Sequence, residues 1–186
     1  LVCLAACLWG LDGVVLTPRL AALPVPLVVL LLHAVPFLLM QPLLGRRCWP
    51  LLARLQRESW TALVAVSACG GLIGTLAIVH ALFLVGFQEL SIVVLLQKLQ
   101  PLFALALAAV LLGERLSPRL LGWAAAAIAG AYLMTFGLGL PDLAENAASG
   151  RAAFWAVVAA AAFGAATVLG KRLLGSVDVA TATFGR

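Results

Sequence analysis

Charge is the scarcest property of this sequence. Asp, Glu, Lys and Arg supply 10% of its 186 residues, against roughly 25% in an ordinary soluble domain, and that deficit excludes a freely soluble globular fold. Acidic residues are rarer still, seven against twelve basic ones. The net charge of +5 would suggest nucleic acid in a soluble chain. Here the basic residues collect in segments that connect apolar stretches, so the partner they indicate is a lipid bilayer and no nucleic acid is expected. Cysteine is sparse and unpatterned: Cys3, Cys7 and Cys69 lie in apolar stretches and Cys48 in a basic one, which argues against a disulfide framework and against a metal site. No Gly-x-Gly-x-x-Gly follows a strand and no phosphate loop is present, so no soluble cofactor is expected. Ser67 and Ser91 lack the setting of a nucleophile, and there is no His-Glu-x-x-His, which argues against an intramembrane enzyme.

What the sequence has in abundance is apolar length. Hydrophobic residues make up 65% of it, arranged as long runs, and a run of about 20 helical residues crosses a ~30 Å hydrocarbon core. The fold class expected is all-α, a polytopic helical membrane protein with six spans. These cover residue 1 to about 16, then about 24–44, 60–85, 90–112, 120–138 and 152–169. Between the second and third, residues 45–60 carry Arg46, Arg47, Arg54 and Arg57. There Leu51, Leu52 and Leu55 suggest a short surface helix, with Trp49 and Trp60 at the interface.

Basic residues set the orientation. The connections after the second, fourth and sixth spans hold Arg46, Arg47, Arg54, Arg57, Arg115, Arg119, Lys171 and Arg172, whereas those after the other spans hold only Arg19 and Arg151. The first group is expected in the cytoplasm, which places the amino end inside and the turn at Glu89 outside, in a bacterial inner membrane. The apolar run is already under way at Leu1, and the segment 177–186 reads as the approach to a further span, so the chain reads as a fragment. Offset by 154 residues, Trp9-Gly10 falls on Phe163-Gly164. A repeat of five spans inserts its second copy upside down, and inverted repeats of this kind build many secondary transporters. The domains expected are residues 1–139 as one five-helix repeat, 140–150 as an extracytoplasmic loop containing Asp142 and Glu145, and 151–186 as the first helix of a second repeat and the start of the next connection.

Within the spans, a few polar residues stand out because burying them in lipid is expensive. Gln97, Lys98 and Gln100 interrupt the fourth span just before Pro101. An ionisable group at that depth costs roughly 2.5–3.5 kcal/mol, and the proline removes a helical N–H and kinks the chain. Counting from the outer ends, Asp12, His33, His80 and Lys98 all fall roughly 9–14 Å deep, one layer donated by four spans. Together they form an expected wet cavity, with Lys98, Gln97 and Gln100 on its wall, Asp12 as counter-ion or coupling carboxylate, and Trp9, His33 and His80 nearby. Each has a structural alternative: Lys98 snorkelling outward, Asp12 as its structural partner, the histidines as packing groups. Gly70 and Gly74 form a Gly-x-x-x-Gly for close helix approach. Glu114 and Arg115 suit a salt bridge that seals or positions the inner end of the fourth span.

The stretch LLQKLQPLFALALAAVLLGERLSPRLLGWAAAAIAGAYLM resembles the EamA-type drug/metabolite transporter superfamily. Pro101 and Phe103 early in the fourth span, Leu112 to Arg115 closing it, Gly122 opening the fifth, and Trp9-Gly10 in the first carry the resemblance. It implies a ten-helix transporter of two inverted five-helix repeats, with a cavity lined by the first, third and fourth spans. Gln100 stands where many relatives have an acidic or small residue, and an intramembrane lysine is not general among them. The function expected is a secondary transporter, an exporter, moving a small-molecule substrate by alternating access, with a coupling ion as a further partner. Lys98 favours an anionic group, pointing to amino acids or organic acids. A non-transporting membrane scaffold is the alternative from a different class.

Overall fold

The computed structural model describes residues 2–87, 90–136, 138–139 and 147–186. Every regular element among them is helical. α1 covers residues 2–19; α2 (Val25–Ala53), α3 (Arg57–Leu84) and α4 (Leu90–Leu111) follow, then α5 (Pro118–Phe136), α6 (Ala147–Leu173) and the short α7 (Val179–Gly185). Among the described residues, four helices are long and apolar enough to cross a membrane: α2, α3, α4 and the Gly150–Leu173 length of α6. Three helices contain a stretch wound wider than an α-helix, at Asp12–Leu16 in α1, Gln41–Gly45 in α2 and Ser67–Gly74 in α3.

α6 is the post against which the others stand, touching α3 along its length and both pieces of α4. Its sequence explains this role. Ala152, Ala156, Ala159 and Ala160 are fully buried, and small residues let helices approach closely where lipid offers no hydrophobic drive between them. The approach is tightest at Gly164, where a Cβ would lie 2.8 Å from the Phe103 Cβ and 3.0 Å from the Ala104 nitrogen. On the other side α3 meets α6 through Gly70 and Gly74, whose Cβ atoms would fall 2.9 Å from Ala166 and 2.8 Å from the Phe163 ring.

α2 departs from the sequence-based expectation. The second span and a separate surface helix over residues 45–60 were expected; instead one helix runs from Val25 to Ala53 and the chain breaks at residues 54–56. Pro42 lies in the interior of this continuous helix, at the start of the wide stretch Gln41–Gly45. Beyond it, Cys48 and Leu52 do not lie on a membrane surface but are buried with Leu63, Leu173 and Phe184. The fourth span does break where its proline predicts. It consists of Leu90–Gln97 and Gln100–Leu111, with Lys98 and Leu99 in a turn closed by short-range bonds from Lys98 N–H to the Leu95 carbonyl (2.9 Å) and Leu99 N–H to the Leu96 carbonyl (3.1 Å). α6 begins at Ala147, inside the stretch expected as loop; residues 140–146, with Asp142 and Glu145, and Glu89 lie outside the described residues.

The carboxyl ends of α2, α4 and α6 share one side of the bundle. Gly113 adopts φ +65° after α4, a left-handed turn that suits glycine, and the Glu114 N–H returns to the Ala108 carbonyl at 3.4 Å. This places the Glu114 carboxylate on the Lys171 ammonium of α6. Arg47 of α2 donates to Asp178 at 3.0 Å, and Ser59 donates to Ser176 at 2.9 Å. The ion pairs are exposed, so they position these ends more than they stabilise them.

Asp178 lies outside the spans, and the Thr181 hydroxyl first, the Arg47 guanidinium after it, hold its carboxyl below the ordinary value of 3.8. A folded-state pKa below the unfolded one means that the stabilising contribution is complete above 3.8 and is lost as the pH falls through the lowered value. Asp178→Asn is therefore expected to flatten the acid limb of the melting temperature against pH below 3.8 and to leave the curve's shape above it unchanged.

Candidate functional site: a cleft at the break in α4

Where α2, α3, α6 and the second piece of α4 meet, they leave a cleft of about 710 Å³, with α7 supplying part of the wall. Ligand pockets commonly have volumes of about 300–1,000 Å³. The cleft sits at mid-depth: His33 lies eight residues past Val25 and Gln100 ten past Leu90, about 12 and 15 Å along their helices. α2 contributes His33, Pro36, Phe37 and Met40; α3 contributes Ser67, Gly70, Gly71 and Thr75; α4 contributes Gln100; α6 contributes Phe163, Ala166 and Thr167. No carboxylate is among the lining residues.

Each wall has a local cause. The wide turn of α3 coincides with its lining segment, and Gly71 there has no side chain, so the His33 ring stands clear: a Cβ at 71 would lie 3.4 Å from its Nε2. His33 Nδ1 is 2.9 Å from the Val29 carbonyl. A carbonyl only accepts, which assigns a proton to Nδ1; in the neutral ring Nε2, which faces Gly71, is then an acceptor. One end of the cleft is aromatic. Phe37 and Phe184 lie 5.6 Å apart, Trp49 stands edge-on to both, and Trp49 is held by donating to Gln41 Oε1 at 3.0 Å.

Of the four ionisable groups expected at one depth, His33 alone lines this cleft. His80 turns its ring edge-on to Trp155 of α6, centroids 5.3 Å apart. Asp12 accepts from the Thr17 hydroxyl at 3.4 Å, and among the described residues it makes no ion pair with Lys98. Lys98 is exposed in the turn of α4, with Gln97 half-buried before it. Trp9 belongs to α1, and its side chain lies outside the described part. Pro101 opens the second piece of α4, Glu114 is paired with Lys171 and Arg115 is exposed. The sequence reading missed Ser67, Gly71, Thr167, Phe37 and Phe184. Ser67 was weighed only as a nucleophile; the signal available was the Gly70-Gly71 pair, which marks where α3 offers backbone rather than side chain.

The sequence profile of the EamA-like transporter family matches residues 1–136. The chain belongs to that family. It is also similar to a Fusobacterium nucleatum protein named riboflavin transporter ImpX, 46% identical over 186 residues, which are 100% of this chain and 62% of that protein. No solved structure matches the chain. This EamA-family chain is thus a multi-pass helical membrane protein that spans less than two thirds of that relative's length.

Proposed function

We propose that the complete protein is a secondary transporter that moves a small, uncharged, ring-bearing metabolite by alternating access, with riboflavin the first candidate. The observation that carries this reading is the mid-depth cleft at a broken helix, lined by aromatic rings, an imidazole, an amide, hydroxyls and Arg186, with no Asp or Glu among the lining residues. Substrate sites of secondary transporters lie near the midplane beside discontinuous helices, and the identity to a relative named for riboflavin extends along the whole chain. The amino-acid or organic-acid reading rested on Lys98, which does not line the cleft. In this proposal Gln100 and His33 contact the ligand, and Lys98, exposed at the break, belongs to the wet approach. The basic ends joined by Glu114–Lys171 and Arg47–Asp178 face the cytoplasm, and α6 opens the second of two inverted repeats.

The test is flux. Proteoliposomes holding the full-length protein are expected to exchange labelled riboflavin faster than empty vesicles and to leave labelled glutamate outside; glutamate flux without riboflavin flux would overturn the substrate class, and no flux of either would favour a scaffold. Gln100→Leu is expected to slow riboflavin exchange about tenfold, the effect of one lost ligand hydrogen bond of up to roughly 1.5 kcal/mol. Lys98→Ala is expected to slow it less.

A further inference from the structure

Three of the hydroxyls on the cleft wall have already used their protons. Ser67 Oγ donates to the Leu63 carbonyl at 2.9 Å, Thr167 Oγ1 to the Phe163 carbonyl at 2.9 Å, and Thr75 Oγ1 to the Gly70 carbonyl at 3.1 Å. All three bonds return to the helix that carries the hydroxyl, where little water competes for them. His33 does the same with Nδ1 and the Val29 carbonyl. What these side chains still have for a ligand is lone pairs: three hydroxyl oxygens and the imidazole Nε2. Turning any hydroxyl round to donate would give up its bond within the helix. Against this set stand the Gln100 amide, which both donates and accepts, the Thr183 hydroxyl, and Arg186, whose guanidinium is a donor and whose main-chain carbonyl lies 4.0 Å from where a Gly71 Cβ would stand.

We propose that this part of the cleft wall selects its ligand as an acceptor of hydrogen bonds: it takes a molecule that presents N–H and O–H groups to His33, Ser67 and Thr167, with His33 Nε2 as the specificity-determining acceptor. A carboxylate or phosphate brings only further lone pairs to these atoms and leaves two acceptors facing each other without a proton between them, a mismatch that a buried site penalises heavily. Aromatic rings at one end and acceptors along the walls together define the class: a planar ring system bearing an imide or amide N–H, a hydroxylated chain, or both. This inference rests on the transport reading above and adds the sign of the hydrogen bonding to it.

The experiment uses the full-length protein in proteoliposomes and competes labelled riboflavin against three unlabelled compounds: riboflavin itself, its 3-methyl derivative, in which the ring N–H is replaced, and its 5′-phosphate ester. The 3-methyl compound and the ester are each expected to compete roughly tenfold or more less well than riboflavin, as sites built around a hydrogen bond reject analogues that cannot make it. His33→Leu is expected to bring riboflavin and its 3-methyl derivative to near-equal, weak competition, while His33→Gln, whose amide oxygen still accepts, keeps part of the preference. If riboflavin is carried but the 3-methyl compound competes as well as riboflavin in the wild type, or the ester competes better, the acceptor assignment is wrong and the transport reading stands. Preserved discrimination in His33→Leu moves the acceptor away from His33 and overturns its role. Absence of riboflavin flux in the wild type removes both readings together.

Discussion

Gly164→Leu is expected to leave no folded bundle. A Cβ at this position meets the Phe103 Cβ at 2.8 Å, the Ala104 nitrogen at 3.0 Å and the Gln100 carbonyl oxygen at 3.1 Å, and two of those three atoms are backbone. A flexible side chain could swing aside; a helix backbone cannot yield without moving α4 as a whole. The smallest change is the most informative. Gly164→Ala adds only the Cβ and forces the two helices apart by a few tenths of an ångström, and overpacking of this kind typically costs about 1–3 kcal/mol. In a protein of this size each kcal/mol shifts the melting temperature by about 2–4 °C, so thermal unfolding in detergent should show a loss of roughly 2–12 °C. A melting temperature equal to wild type would mean that α4 and α6 are not in contact here.

Gly71→Leu should behave in the opposite way. Its Cβ would stand 3.4 Å from His33 Nε2, an ordinary contact, with no other side chain within the same reach. The added atoms enter the cleft instead of a helix interface, so the variant is expected to keep its melting temperature while the proposed riboflavin exchange falls by at least about tenfold, the effect of displacing a ligand contact of ~1.4 kcal/mol. Exchange at the wild-type rate with leucine in place would show that the substrate path runs elsewhere. Taken together, the two glycines separate what holds the helices from what the helices hold.

The gross architecture was legible because a bilayer imposes it: runs of apolar residues have few alternatives to helices when no water is available for the backbone. The break at Lys98–Leu99 was legible for the same reason, since Pro101 has no N–H to give. α2 was misdivided because Gln41, Pro42 and the arginines after them look like an ending. Whether a helix continues through such a stretch depends on what receives its next turn, and Phe184, 132 residues after Leu52 in sequence, is part of the answer. The members of the polar layer do not all line the cleft, for a related reason. Depth follows from counting residues, but direction around the helix depends on the neighbours. His33 and His80 lie at comparable depth, yet one faces the cleft and the other packs on Trp155. Ser67 and Thr167 could not be found at all by looking for costly residues, because a hydroxyl that bonds its own helix is cheap anywhere in a membrane.

The wide winding of α3 over Ser67–Gly74 leaves that helix with slack at the height of the chamber. The panel bearing Ser67 and Gly71 therefore carries main-chain groups paired over a longer span than those above and below it, at the height of the chamber.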